Sequence, residues 1–192
     1  MFYASNSRAI DTPSSYLDPQ MVFTGNYWDE FGLSPFLIPD NARVLMLGLG
    51  LGGGIRPLLS STKKIDLEVV DIDESNLKKC QQLYKQNYSQ LKFTSICEDA
   101  NEYIKNKVAC YDLIWVDLYH SHSYCDLNFN LSFFKQIQNS LKDSGIVAVN
   151  AYGIPTQFLP LSRESAQSAS ATTLKSIFPF VGAIPNRRNQ TL

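Results

Sequence analysis

A glycine-rich turn is the first feature of this sequence that points to chemistry. Residues 48–54 read GLGLGGG and contain the spacing GxGxxG at Gly48, Gly50 and Gly53. Glycines between a strand and a helix permit a tight bend and let main-chain N–H groups approach a ligand. The spacing alone is a weak indicator, because such turns also occur without ligands. Its position after an apolar run favours a nucleotide-type site, and we expect those three residues and Gly52 to line it.

Isolated acids follow the turn along the chain. Asp71 ends an apolar run about 20 residues after the glycines, the distance at which an acid can accept hydrogen bonds from both hydroxyls of a ribose. For Asp73 we favour a different role, the N-cap of a helix that begins near Glu74. Asp99 can accept a hydrogen bond from the amine of an adenine or can cap a helix, and the sequence leaves both open.

The segment DLYHSHSYCD at residues 117–126 carries the most reactive side chains. Asp117 can orient an amine, and Tyr119 or His120 can accept a proton or bind an acceptor. The segment holds both histidines of the chain, but its HxHxxC spacing has no partner cluster and fits structural zinc sites poorly. We therefore predict no metal. A solvated loop with packed tyrosines is the alternative to a catalytic role.

The elements that position these groups alternate between strands and helices. This alternation predicts an α/β domain with a mainly parallel sheet, because near-continuous apolar runs are typical of strands covered by helices on both faces. The predicted strands are residues 43–47, 66–70, 91–96, 111–116, 145–150 and 180–184, with the start of another at 189–192. The predicted helices are a segment within 19–36, then residues from the glycine turn to 60, 74–88, 100–105, 131–141 and 163–178.

We divide the chain into an N-terminal extension with a helix, residues 1–40, and a ligand-binding domain, residues 41–192. Seventeen Lys and Arg against eighteen Asp and Glu give a net charge of −1, which disfavours a nucleic-acid binder. No apolar run approaches the roughly 20 residues of a membrane span, and we expect no secretory leader. Four cysteines without CxxC spacing favour a reduced, cytoplasmic protein. The sequence leaves a homodimer open.

Three strand ends carry the glycine turn, Asp71 and Asp99, and they should share the carboxyl edge of the sheet, where open α/β sheets bind ligands. A dinucleotide and an adenosyl sulfonium such as S-adenosylmethionine both fit. We favour the adenosyl sulfonium, because little chain is left for a second, substrate-holding domain. An acid after the third strand also has no place in the dinucleotide pattern.

Five segments resemble, in the same order, the motifs of spermidine synthases and their methyltransferase-like relatives. They are residues 43–56, 68–73, 97–104, 111–117 and 133–147. The resemblance implies the class I S-adenosylmethionine-dependent methyltransferase superfamily. Its Rossmann-like fold has a mainly parallel, doubly wound sheet, and the last antiparallel strand is expected to be incomplete here. It also implies that the donor is S-adenosylmethionine or its decarboxylated form, and that Asp117 is the catalytic aspartate.

Two departures from that family affect the expected activity. Aminopropyltransferases have an acid where this chain has Leu51, and a second acid where it has His120. Those acids bind the polyamine and the donor's amino group, so we expect a methyltransferase of spermidine-synthase-like type acting on a small molecule or a protein side chain. The alternatives are an aminopropyltransferase that uses decarboxylated S-adenosylmethionine, and a catalytically silent adenosyl-binding module.

Overall fold

A seven-stranded sheet forms the centre of the structure. The computed structural model describes residues 22–23, 27–50, 52–120, 123–152, 163–182, 184–185 and 189–191. The strands of the sheet lie in the order β3-β2-β1-β4-β7-β9-β8. They are β1 (Ala42–Leu47), β2 (Ile65–Asp71), β3 (Thr94–Cys97), β4 (Tyr111–Val116), β7 (Leu141–Tyr152), β8 (Ile184–Pro185) and β9 (Asn189–Thr191). A separate hairpin pairs β5 (Tyr119–His120) with β6 (Ser123–Tyr124).

The pairing of the strands confirms the predicted fold class. The strands β3, β2, β1, β4 and β7 run parallel, and β9 pairs antiparallel with both β7 and β8. The chain winds from β1 outward through β2 to β3 and then returns to place β4 on the other side of β1. This is the reversal of a doubly wound, Rossmann-like sheet. Its topological switch point lies at the carboxyl ends of the neighbouring strands β1 and β4.

The residues that the structure describes contain four α-helices and three 3₁₀ helices. The α-helices are α1 (Glu74–Asn87), α2 (Ala100–Ile104), α3 (Leu131–Ser140) and α4 (Arg163–Lys175), and the 3₁₀ helices are Tyr27–Phe36, Gly53–Ser60 and Asp126–Phe129. Among the described residues no helix is long and apolar enough to cross a membrane.

Two apolar layers hold the helices on the two faces of the sheet. Every residue of β4 is buried, and its alternate side chains pack into one layer or the other. One layer packs Trp115 against Phe31 of the first 3₁₀ helix, with ring centroids 5.3 Å apart. The other packs Ile114 and Val116 with Phe134 of α3. Burial on both faces explains why the strands read as apolar runs rather than alternating ones.

Two predicted helices have a different geometry. The segment after the glycine turn is a 3₁₀ helix, Gly53–Ser60, and it contains Pro57. The segment Tyr27–Phe36 is also 3₁₀ and contains Pro35, while the part of the predicted helix before residue 22 lies outside the described residues. Proline removes a main-chain donor, and short 3₁₀ stretches tolerate this better than an extended α-helix does.

Three predicted strands are shifted. The third begins at Thr94 rather than at residue 91, because Leu91 and Phe93 pack on the core from an irregular segment. The strand β7 begins at Leu141, directly after α3, instead of at residue 145. The prediction of a strand at 180–184 was wrong: Phe180 is 92% exposed, and the strand β8 begins only at Ile184.

An ionic network lies at the amino end of the sheet, opposite the predicted ligand edge. Glu68 accepts hydrogen bonds from the hydroxyls of Tyr103 (2.7 Å) and Tyr111 (2.6 Å) and from the Arg43 guanidinium (2.5 Å). Burial alone would raise the pKa of Glu68, but these three donors hold it below its usual value. The network therefore ties β1, β2, α2 and β4 together through one carboxylate.

Candidate functional site

The switch point brings the glycine turn and the end of β4 into direct contact. The Gly48 amide donates to the Val70 carbonyl of β2 (2.8 Å), and the Asp117 amide donates to the Leu47 carbonyl of β1 (2.9 Å). The sheet ladders thus continue for one residue beyond the strands. The predicted cofactor turn and the predicted catalytic acid therefore meet at one edge.

Gly48 is required by this contact. Its φ is +87°, a conformation that L side chains rarely adopt, and a Cβ there would collide with the main-chain carbonyl of Asp117. A larger residue would push the end of β4 away from the turn. The glycine therefore sets how closely Asp117 approaches.

Gly52 is required by packing beneath the turn. Its φ is +85°, and a Cβ would lie 2.5 Å from the Cys80 Sγ and 2.8 Å from Cε2 of Tyr84, both on α1. The Tyr84 hydroxyl donates to the Gly52 carbonyl at 2.5 Å. Burial, together with the nearby charge of Asp71, raises the pKa of the Cys80 thiol to about 12. The helix α1 thus holds the turn from below through a neutral thiol and phenol.

Gly53 also has a packing role that the sequence analysis did not identify. A Cβ at this position would meet the indole ring of Trp28 at 3.3 Å. At Gly48, Gly52 and Gly53 the space left by the missing side chain is therefore occupied by protein atoms. The positive φ of Gly48 and Gly52 agrees with the predicted tight bend, and ligand contact by the main chain of these glycines and of Gly50 stays a prediction.

The Asp71 carboxylate organises the turn. Its Oδ2 accepts hydrogen bonds from the amides of Leu49 (2.7 Å) and Gly50 (3.1 Å), and its Oδ1 accepts one from the Asp73 amide (2.9 Å). An ionised carboxylate has about four acceptor positions, so these bonds leave capacity for a ligand hydroxyl. The role predicted for Asp71, binding a ribose, stays a prediction, and the structure adds that Asp71 fixes the turn.

Asp73 and Asp99 are helix N-caps. Asp73 accepts from two amides at the start of α1, which confirms the preferred interpretation of that residue. Asp99 accepts from the amides of Asn101 (2.9 Å) and Glu102 (3.2 Å) at the start of α2. A capping carboxylate uses one oxygen, so contact between Asp99 and an adenine stays a prediction that the cap does not contradict.

The apolar side chain of Ile72 lies beside Asp71, just after the end of β2. Ile72 is 70% exposed although it lies between Asp71 and Asp73 at the ligand edge. The Glu98 amide donates to the Asp71 carbonyl (3.2 Å), and this hydrogen bond holds the end of β3 beside the end of β2. An exposed isoleucine beside two acids suits the flat face of a nucleobase. The sequence analysis did not select Ile72. The feature that could have pointed to it is an apolar residue between two acids.

The Asp117 carboxylate is held from the neighbouring strand. The Asn150 side-chain amide donates to Oδ1 of Asp117 at 2.7 Å. The Tyr119 hydroxyl donates to the Asn150 main-chain carbonyl at 2.8 Å. Two of the predicted catalytic residues therefore meet at one asparagine, which the sequence analysis did not select. The side chain of His120 lies outside the described residues, and only its main chain, in β5, is placed.

The described residues after β4 include short elements of regular structure. The first of these elements form the β5–β6 hairpin. Beyond it Cys125 is buried, and the fully buried Asn128 donates from Nδ2 to the Leu118 carbonyl at 2.9 Å. Burial raises the pKa of the Cys125 thiol, with further contributions from the charges of Asp126 and Asp99. The described residues contain no group of three or more metal-ligating side chains.

The family model described as the spermine/spermidine synthase domain matches residues 31–191. A polyamine aminopropyltransferase of Prochlorococcus marinus (strain AS9601) is 27% identical over 132 residues, which are 65% of this chain and 47% of that protein. The chain thus spans about half the length of this curated relative.

Solved structures share the fold. A spermidine synthase in complex with the transition-state analogue AdoDATO superposes with a TM-score of 0.70 at 16% identity, covering 86% of this chain and 58% of that one. Human methyltransferase-like protein 13 in complex with SAH superposes with a TM-score of 0.61 at 19% identity, covering 85% and 77%. Because the family model matches residues 31–191, most of this chain, the chain belongs to the spermine/spermidine synthase family.

Proposed function

We propose that this protein transfers an aminopropyl group from decarboxylated S-adenosylmethionine to an amine acceptor. The observation that carries the proposal is the Asp117 carboxylate, held at the switch point directly beside the glycine turn. A fixed carboxylate at that position can hold an amine against the reacting carbon of a ligand bound on the turn. The polyamine aminopropyltransferases among the relatives favour this alternative over the methyltransferase that the sequence analysis preferred.

The donor would lie along the edge formed by the ends of β3, β2 and β1. Asp71 would accept from the ribose hydroxyls while it continues to hold the turn. Ile72 would cover one face of the adenine, and Asp99 would accept from its amine. In this order the sulfonium end of the donor would lie over the turn, next to Asp117.

The reaction needs little covalent help from the protein. The amine nitrogen attacks the aminopropyl carbon bonded to sulfur, a C–N bond forms as the C–S bond breaks, and the electron pair leaves on the sulfur of methylthioadenosine. The nitrogen then loses one proton. Asp117 would hold the amine in line and receive or relay this proton, with Tyr119 beside it, which are the contributions of positioning and general base catalysis.

Methyl transfer from S-adenosylmethionine is the second candidate. It is favoured by Leu51 and His120, which stand where aminopropyltransferases have acids for the cationic ends of their substrates. The same edge and the same carboxylate would then serve a different donor. The two activities differ in which donor binds and in the mass of the product.

Product analysis with both donors tests the proposal. The protein is incubated with each donor and a panel of linear diamines, triamines and other nucleophiles, and products are identified by mass spectrometry. We expect an aminopropylated amine from decarboxylated S-adenosylmethionine. Methylated product alone would refute the proposal in favour of the second candidate, and binding of a donor without any product would favour the silent binding module.

Asp117→Asn locates the chemistry. We expect turnover to fall by about 10²–10⁴ while donor affinity stays within a few-fold, because the carboxylate acts on the acceptor and not on the adenosine. Asp126→Asn, an exposed acid in the same segment, is the matched control and should leave turnover unchanged. Collapse of donor binding in Asp117→Asn would make Asp117 a donor ligand and contradict this division of roles.

A further inference from the structure

We propose that Asn150 is a positioning residue for the transfer reaction, which holds the Asp117 carboxylate through its side chain and the Tyr119 hydroxyl through its main chain. The proposal rests on the function proposed above and adds a residue from a strand outside the reactive segment. Asn150 lies on β7 and is 1% exposed.

The register of the sheet places Asn150 beside Asp117. The parallel ladder between β4 and β7 pairs Val116 with Val149. The next residues on the two strands are Asp117 and Asn150, so they stand side by side at the carboxyl edge. A parallel pair in register presents equivalent residues on the same face of the sheet, which is why the short amide can reach the carboxylate at 2.7 Å.

The hydrogen bond between Asn150 and Asp117 favours one charge state of the carboxyl group. A side-chain amide offers N–H donors, and an ionised carboxylate only accepts, so the bond favours the charged form of Asp117. A buried polar side chain in an otherwise apolar strand end is costly unless it is hydrogen-bonded. The other residues of the surrounding sequence, VAVNAY at residues 147–152, are apolar or aromatic.

The second contact couples Tyr119 to the same point. Its hydroxyl donates to the main-chain carbonyl of Asn150 at 2.8 Å. A side-chain substitution at 150 keeps this carbonyl, so it removes the amide bond to Asp117 without removing the acceptor of Tyr119. The two contacts can therefore be separated by mutation.

Asn150→Ala and Asn150→Asp are the test variants, measured for kcat, for donor dissociation constant and in a double-mutant cycle with Asp117→Asn. We expect Asn150→Ala to lower kcat by about 10- to 100-fold with donor affinity within a few-fold, since a displacement of about 1 Å at a reacting group costs up to about 10² in rate. Asn150→Asp keeps the shape but places an acid against an acid. We expect a larger loss and an acidic limb of the pH–rate profile that moves to higher pH.

The double-mutant cycle separates positioning from a structural role. Adding Asn150→Ala to Asp117→Asn should cost little further turnover, because no carboxylate is left to position. Ser140→Ala removes a fully buried hydroxyl at the end of α3, just before β7 begins, and is the control for lost stability. Full kcat in Asn150→Ala, additive losses in the double variant, or an equal loss in Ser140→Ala would overturn the proposal.

A spectroscopic readout keeps this test separate from the proposed function. The carboxyl-carbon NMR resonance of Asp117, assigned by its disappearance in Asp117→Asn, should titrate at higher pH in Asn150→Ala than in the wild type. If the wild type forms no product with either donor, the proposed function fails, while this measurement still shows whether the Asn150 amide stabilises the Asp117 carboxylate. An identical titration in both proteins would show that the amide does not stabilise the carboxylate.

Discussion

Asp71→Ala is the perturbation that tests most directly how the ligand edge is built. The carboxylate accepts three main-chain hydrogen bonds, from Leu49, Gly50 and Asp73. A hydrogen bond to a charged group contributes about 1.5–3 kcal/mol when it is buried. Because Asp71 is only partly buried and water can replace part of these bonds, we expect the free energy of unfolding to fall by about 2–4 kcal/mol rather than by the full sum.

Ligand binding should weaken as well as stability. If Asp71 also accepts from the ribose, its loss removes about 1.5–3 kcal/mol of binding free energy, a factor of about 10 to 150 in the dissociation constant. Urea unfolding measures the first quantity and titration calorimetry with S-adenosylmethionine and its decarboxylated form measures the second. Both are compared with the wild type under the same salt and pH.

Asp73→Ala is the matched control, because it removes a carboxylate two residues away that caps α1 through two amides. The loss of a cap costs about 1 kcal/mol of stability and should leave ligand affinity nearly unchanged. Equal destabilisation by the two variants would refute the role of Asp71 in holding the turn. A destabilised Asp71→Ala protein with unchanged affinity would refute the ribose assignment alone.

Three further predictions concern the turn, the thiols and the amino-end network. Gly52→Ala should destabilise the protein by about 2–4 kcal/mol in urea unfolding, from the left-handed φ and the overlap with the side chains beneath it, whereas Gly182→Ala, whose Cβ meets nothing within 4 Å, should be nearly neutral. At pH ~8 an alkylating reagent should label exposed Cys97 and not Cys80, whose pKa is raised to about 12 by burial; mass spectrometry of digested protein distinguishes the two, and fast labelling of Cys80 would mean that the turn opens readily. Because the pKa of Glu68 is lowered in the folded protein, its stabilising effect is present above the usual value of 4.5 and is lost as the pH falls below it. The difference in unfolding free energy between wild type and Glu68→Gln should therefore shrink in that acidic range, and a constant difference would contradict the network.

The sequence predicted the sheet well because its strands are covered on both faces. Apolar runs such as residues 111–116 carry that signal directly, and the glycine turn marks where the first strand ends. Helix type was harder to predict, since Pro57 within Gly53–Ser60 changes the hydrogen-bonding pattern without changing the spacing of apolar residues. The third strand was misplaced at Leu91 because an apolar side chain can pack on the core from an irregular segment.

The candidate site was only partly predictable for a related reason. Acids at strand ends are visible in a sequence, and Asp71 and Asp99 were selected on that basis, whereas Asp117 was selected from the reactive segment and from the family resemblance. The partners that hold them are set by tertiary register, as the contact between Asp117 and Asn150 shows. The packing reason for Gly53 likewise depends on Trp28, which is 25 residues away in the chain and in contact only after folding.

The placement of the two tryptophans gives the protein a built-in optical probe. The chain has two, and both are buried in the same apolar layer. Trp28 lies against Gly53 of the turn, and Trp115 lies on β4 two residues before Asp117, with its indole N–H donating to the Ser34 hydroxyl at 3.0 Å. Tryptophan fluorescence, excited at wavelengths that tyrosine does not absorb, therefore reports on the glycine turn and on the end of β4. A change in emission on adding a nucleoside would report events at this edge without any label.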